Sequence, residues 1–278
     1  MNKQLTVLLA TILTSIAITS CNSPRFIYSP PPANVAYFKN KGDYKVATYI
    51  STGKAIFNKT RRDYQNSGFD IQGAYAITDH WLINGSIYNR KEQDSYGSQF
   101  NIFDTSTINY KRQLFEIGGG FYTPLNADKL VIINLVANIG FGKFNLNDNG
   151  SINASIYQRY FDNNITKFSL QPSINVMPSE FFQFSVAARL NFVHFGGTNT
   201  NYTTIELTGL RLNELNGTTV QFFEPTINAE IGIPGVEWLK ISLSNTLCFR
   251  LNRNYVENRL FNASIGLSFQ LPSKNKRR

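Results

Sequence analysis

Past residue 20 the chain contains no apolar run of 18 residues, so a membrane-spanning helix is excluded from the remainder of the sequence. Its 278 residues include only two cysteines, Cys21 and Cys248, and two histidines, His80 and His194, which leaves no disulfide framework, no thiol pair and no metal-ligand cluster. Charged side chains make up 16% of the residues, well below the usual quarter. Low charge is not accompanied by disorder, because 22 Phe and 14 Tyr demand burial against something. No phosphate-binding glycine loop occurs: Gly118-Gly119-Gly120 lies inside an alternating run, where glycine permits close backbone approach or a bend.

What the chain has instead is a period of two. From Trp238 to Leu251 the odd positions carry Leu239, Ile241, Leu243, Asn245, Leu247, Phe249 and Leu251, and the even ones Lys240, Ser242, Ser244, Thr246, Cys248 and Arg250. Phe261 to Leu271 repeats this pattern, as does Phe182 to Phe192. Similar runs lie at about 43–53, 67–78, 80–90, 109–122, 129–144, 163–176 and 218–232, predicting ten strands. Most last 11 to 16 residues, beyond the five or six of soluble strands and enough to cross a bilayer at a tilt.

Tight connections with turn chemistry (Thr78-Asp79-His80, Thr123-Pro124-Leu125-Asn126, Met177-Pro178-Ser179, Pro234-Gly235) alternate with long polar segments at about 54–66, 91–108, 145–162, 193–217 and 252–260. Short turns on one side and long loops on the other predict an all-β fold, an antiparallel up-and-down transmembrane β-barrel. A soluble barrel or sandwich is the rival, since alternation alone does not say which face meets water. Strand length and the nearly uncharged apolar face favour the membrane. Lys143 is the exception on that face, at the loop end of its strand where a long side chain can snorkel. Trp81, Tyr122, Phe181 and Trp238 fall at turn ends and are expected to form an interfacial aromatic girdle.

The N-terminus reads as an export address: Lys3, an apolar stretch from Leu5 to Ile18, then Ile18-Thr19-Ser20-Cys21. These residues resemble the lipobox of bacterial lipoproteins, and the resemblance implies acylation, palmitate included, of Cys21 as the mature N-terminus. The alternative is an ordinary secretory signal with an incidental cysteine. Asn22 after the cysteine implies, by the same analogy, the outer membrane and its periplasmic leaflet. Residues 21–42, with Ser29-Pro30-Pro31-Pro32 and Lys41-Gly42-Asp43, then read as a stiff periplasmic linker, 43–271 as the barrel and 272–278 as a basic tail. A lipobox, a Pro-rich linker and a small barrel together resemble lipidated barrel proteins of the Bacteroidetes. In the last strand Ser264, Gly266, Phe269 and Leu271 resemble the signal read by the barrel-assembly machinery, which the resemblance makes a partner, although seven residues follow where the pattern ends on an aromatic.

The polar face carries Lys45, Asp70, Glu116, Lys167, Arg189, Glu224, Glu230, Lys240 and Arg250. In a narrow ten-strand barrel such opposed charges predict a lumen filled by paired side chains; an ion pathway is the alternative. Enzymatic barrels place a histidine with a serine or acid near the rim, but His80 reads as a turn residue and His194 shares parity with outward Leu190 and Phe192. The net charge of +9 falls to +8 without Lys3, and half of that sits in Lys274, Lys276, Arg277 and Arg278, so it is no nucleic-acid signature. The expectation is a non-catalytic barrel lipoprotein without cofactor or metal. Its role is structural or interactive, with the bilayer as its surroundings and the loops offered to an envelope protein or glycan. A narrow channel is the second reading and a lipid-modifying enzyme or protease the third.

Overall fold

The computed structural model describes residues 27–54, 63–97, 105–152, 154–179, 181–233, 235–252, 256 and 258–271. The leader over 1–20, Cys21 and the tail over 272–278 lie outside these residues. The strands are β1 (Tyr44–Lys54), β2 (Asp63–Ala76), β3 (Trp81–Gly97), β4 (Thr105–Pro124), β5 (Val131–Ile152), β6 (Ser155–Val176), β7 (Phe182–Thr200), β8 (Thr218–Ile233), β9 (Val236–Leu247), β10 (Phe249–Arg250) and β11 (Phe261–Leu271). β10 is a two-residue piece that pairs with β8 just beyond the end of β9. The other ten form a closed antiparallel barrel, sealed where β1 meets β11 in the register Tyr44↔Leu271 to Ile50↔Ile265. Closure brings the backbones so near that a Cβ on Gly266 would stand 1.9 Å from the Thr48 carbonyl oxygen, which restricts the position to glycine.

Through the turn-end half of the wall the outward residues are apolar: Ile83 and Ile87 on β3, Phe115 and Ile117 on β4, Ile139 and Phe141 on β5, Phe168 and Leu170 on β6 are all exposed. Such a belt is stable against hydrocarbon and not against water. Trp81, Phe181 and Trp238 lie at its turn-end border, also exposed. Tyr122 was expected beside them, but its side chain is 0% exposed and donates from its hydroxyl to the Thr78 carbonyl at 2.8 Å. It has the opposite parity to outward Phe121 and therefore points inward.

Nearer the loop end the polarity inverts. On β4 the outward residues become Asn109 and Lys111, while Ile108, Tyr110 and Leu114 turn inward and are buried; on β5 Phe144 and Leu146 do the same. Lys143 sits in this upper zone, opposite Gln113 and one row above the Phe115↔Phe141 pair. The strands thus continue past the lipid with an apolar inside and a polar outside, as a water-exposed barrel requires. This explains why β4 to β7 reach 19 to 22 residues, and why β3 to β6 absorb most of 91–108 and 145–162, which were expected as loops. Over the top lies the segment 201–217 with the short helix α1 (Thr204–Gly209), started by a capping box between Thr203 and Glu206. Its Tyr202, Leu212 and Leu215 pack into the same buried cluster as Phe144, Phe161 and Phe195, closing the loop end as a lid.

The largest departure from the sequence reading concerns residues 27–42, expected as a periplasmic linker. They run through the inside of the barrel. Tyr37 and Phe38 pack with Ala76, Leu82 and Tyr122 at the turn end, and Ile27 and Tyr28 pack with Phe144, Phe222 and Val256 at the loop end. The barrel is wrapped around its own N-terminal strap.

Candidate functional site

A chain inside a closed barrel faces a specific chemical difficulty. The wall strands have spent their backbone groups on each other, so the strap cannot join the sheet, yet its buried peptide groups still require partners. Prolines at 30–32 remove three N–H donors from the problem and hold the chain extended. Most of the strap's carbonyls are met by side chains of the inward face.

Starting from the turn end, Gln270 Nε2 donates to the Tyr37 carbonyl at 2.9 Å, Asn134 Nδ2 to Ala36 at 2.8 Å and Lys45 Nζ to Val35 at 2.8 Å. Higher up, Gln171 Nε2 donates to Asn34 at 2.9 Å, Gln72 Nε2 to Pro32 at 2.8 Å and Arg189 Nη2 to Pro31 at 2.7 Å. Asn262 Nδ2 reaches Pro30 at 3.0 Å and the Tyr88 hydroxyl reaches Ser29 at 3.1 Å. These donors come from β1, β2, β3, β5, β6, β7 and β11. Asn34 returns the contact, its amide donating to the Gly73 and Gly85 carbonyls at 3.0 and 3.2 Å. At the upper end the Tyr28 ring stacks on Phe222 with centroids 4.3 Å apart, its hydroxyl donates to Glu224 at 2.7 Å, and the Arg259 backbone N–H donates to its carbonyl at 2.9 Å.

The charges singled out from the sequence surround this strap. Lys45 pairs with Glu230 at 2.6 Å, Lys167 with Glu116 at 2.6 Å, and Arg189 with Glu224 through Nε at 2.8 Å and Nη2 at 2.5 Å. Asp70 is buried with Arg90 3.8 Å away, and Lys240 donates to Gln270 Oε1 at 3.3 Å. Arg250 is not part of the buried network: it is exposed at the loop end, where Nη1 donates to the Val256 carbonyl at 3.2 Å. Register with inward Phe222 keeps it on the lumen side, but its height places it above the packed interior.

Several charges were missed in the sequence. Arg112 and Arg259 both clamp Glu92, each at 2.7 Å, and Arg90 donates to Asn262 Oδ1 at 2.8 Å. The signal was present, because Arg90 and Glu92 continue the even-numbered inward parity of Leu82, Asn84 and Tyr88. Asp148, also missed, accepts from Ser106 at 2.6 Å and from the Tyr202 hydroxyl at 3.2 Å, tying the lid to the wall.

The remaining candidates stand apart from the strap. His194 is exposed on the outside, its Nδ1 sharing a hydrogen with Thr219 Oγ1 at 3.0 Å. His80 lies in an exposed turn and stacks on Phe121. Cys248 is buried, with Sγ 3.8 Å from Glu224 Oε1. Gly266, Phe269 and Leu271 belong to the sealing strand β11, and Phe269 stacks on Trp238 with centroids 5.8 Å apart. Outside the wall strands, the carboxylate of Glu206 is held below its usual range by the backbone N–H and hydroxyl of Thr203, and further by Arg159.

No protein family and no curated protein matches the sequence. Among solved structures the fold is similar to the translocator domain of the autotransporter NalP from Neisseria meningitidis, with TM-score 0.50 and 11% identity over 84% of this chain and 89% of that one. It also resembles the transport unit of the autotransporter AIDA-I from Escherichia coli, with TM-score 0.43 and 10% identity over 95% and 97% of the two chains. A third similar structure is the outer membrane protease OmpT from Escherichia coli, with TM-score 0.43 and 9% identity over 83% and 94%. At these identities the likeness is one of fold, and the fold is that of the closed barrels of the outer membrane.

Proposed function

We propose that this chain is an outer-membrane barrel lipoprotein, anchored through Cys21, that acts as a closed structural and surface-interacting component of the envelope and performs no catalysis. The observation that carries this reading is the capture of eight carbonyls of the strap, between Ser29 and Tyr37, by side chains of seven strands. A lumen committed to its own chain in this way has no aqueous path to offer a solute. The bilayer surrounds the outward belt, the barrel-assembly machinery is the folding partner implied by β11, and the lid over 201–217 is the surface available to an envelope protein or glycan. Purified protein in planar bilayers is expected to show no steady conductance. Large, stable pores formed by the unaltered chain would replace this reading with that of a channel.

A further inference from the structure

We infer that the chain, followed toward its N-terminus, leaves the barrel at the loop end, so that Cys21 and the acyl group proposed for it are displayed on the loop side of the membrane, not in the periplasmic leaflet. The exit side rests on the path of residues 27–43 alone; only the lipid itself rests on the acylation proposed above.

The direction of travel is fixed at both ends. At the turn end the Gly42 N–H donates to the Ala76 carbonyl at 2.9 Å, the Lys41 N–H to Asp79 at 2.7 Å, and Lys129 Nζ to the Lys39 carbonyl at 2.8 Å. Both Asp79 and Lys129 lie in tight turns. At the other end Ile27 is buried among residues of the upper wall and lid, including Tyr202, Leu212 and Leu215, and Tyr28 bridges to Asn258 in the last long loop. The strap therefore crosses the membrane zone once, in the direction opposite to β1.

Among the described residues, the inward side chains along this path are already committed to a single crossing. Residues 27–33 and 35–38 are buried, and the side chains around them, Arg189, Lys167, Glu224 and Gln72 among them, are themselves buried and engaged with the strap or with each other. A returning chain would have to displace these donors and leave both the carbonyls and the charges unpaired. Reach is sufficient in the other direction. Phe222, on which Tyr28 stacks, lies four residues below Thr218 at the loop end of β8, or about 13 Å along the strand. The six residues from Cys21 to Ile27 can extend roughly 20 Å.

The topology also settles how a lipid could arrive there. Acyl chains need not pass through a finished pore, because the wall can close around a strap that is already present. Lys45 on β1 and Asn262 and Gln270 on β11 hold the strap from both sides of the sealing seam, so the two strands that close the barrel are also strands that hold the strap.

The test compares two epitope tags in otherwise intact cells producing the full chain, one inserted after Ser23 and one at Thr200. Both tags are expected on the same side of the membrane, accessible to antibody without permeabilisation. If the two fall on opposite sides, the inferred exit is wrong; if both require permeabilisation, the exit stands and the orientation of the whole barrel is inverted. As a check independent of tags, Tyr28→Cys with Asn258→Cys in a Cys248→Ser background should form a disulfide that shifts gel mobility, and its absence in folded protein overturns the path. Labelling with a palmitate analogue, lost in Cys21→Ala, tests acylation separately, and its failure would remove the lipid while leaving the exit side untouched.

Discussion

Replacement of Arg189 by methionine tests the plug at its most connected residue. The guanidinium makes two contacts to Glu224, at 2.8 and 2.5 Å, and one to the Pro31 carbonyl at 2.7 Å. Glu224 is 0% exposed, and Arg189→Met would leave it, among the described residues, with the Tyr28 hydroxyl at 2.7 Å and the Cys248 thiol at 3.8 Å as donors. Removing one partner of a buried ion pair costs about 3–5 kcal/mol, and the orphaned Pro31 carbonyl adds about 1–3 kcal/mol. The total approaches the whole stability of an ordinary domain. The double change Arg189→Met with Glu224→Gln removes the uncompensated charge but keeps an acceptor for Tyr28, so it should recover most of the loss and leave about 1–3 kcal/mol from the Pro31 carbonyl. Urea unfolding in lipid vesicles, followed by heat-modifiable gel mobility, measures both. If the lumen were wet and its charges screened, the single change would cost under about 1 kcal/mol. That result, or a double variant as unstable as the single one, would refute the reasoning.

The barrel itself was legible because lipid imposes a simple rule on the sequence. Every second residue facing hydrocarbon must be apolar, and this rule made the turn-end halves of β3 to β8 readable. It lapses above the membrane. Lys91 and Gln93 on β3 and Asn145 and Asn147 on β5 face outward there, and their polarity read as loop although the strands continue through them. Parity remained intact across the inversion: Tyr110 and Phe144 keep the inward phase of Glu116 and Asn138, with only the polarity exchanged. Tracking phase without polarity would have recovered Arg90, Glu92 and Arg112 as inward charges.

The strap was illegible for a different reason. Periodicity appears when one side of a chain meets water or lipid and the other meets protein. Residues 28–38 touch protein on every side, so Tyr28, Val35, Tyr37 and Phe38 are all buried at spacings that follow neither two nor 3.6. Low periodicity beside prolines reads as linker. One hint was available: four bulky apolar residues are a costly composition for a solvated tether. The inward charges were legible as types and positions, but their shared task, holding a peptide backbone that the strands cannot pair, became visible only with the strap in place.

Three further outcomes follow from the same geometry. Gly266→Val places side-chain atoms against the Thr48 carbonyl at the sealing seam, and should abolish the heat-modifiable folded form on gels; normal folding would show that the seam is looser than described. Ile117→Arg, in the belt, should cost about 2–4 kcal/mol, whereas Asn109→Arg on the same face of β4, above the polarity inversion, should cost little, as vesicle unfolding would show. The lid should loosen only in acid. Because Thr203 and Arg159 hold the Glu206 carboxyl below its usual range, the stabilisation it gives is fully present above the unfolded value of about 4.3 and is lost as pH falls through the lowered folded value. The hydrogen bonds concerned, from the Thr203 N–H and hydroxyl at 2.7 and 2.8 Å, define the start of α1, so their loss should free the helix to fray. A spin label at exposed Ile205 would report this as increased mobility toward acid pH and none between pH 5 and 8. Glu206→Gln preserves a capping-box acceptor without the charge and should flatten the profile. If the acid transition persists unchanged in that variant, the lid is released by another carboxylate, and Asp148, which accepts from Tyr202, is the next to replace.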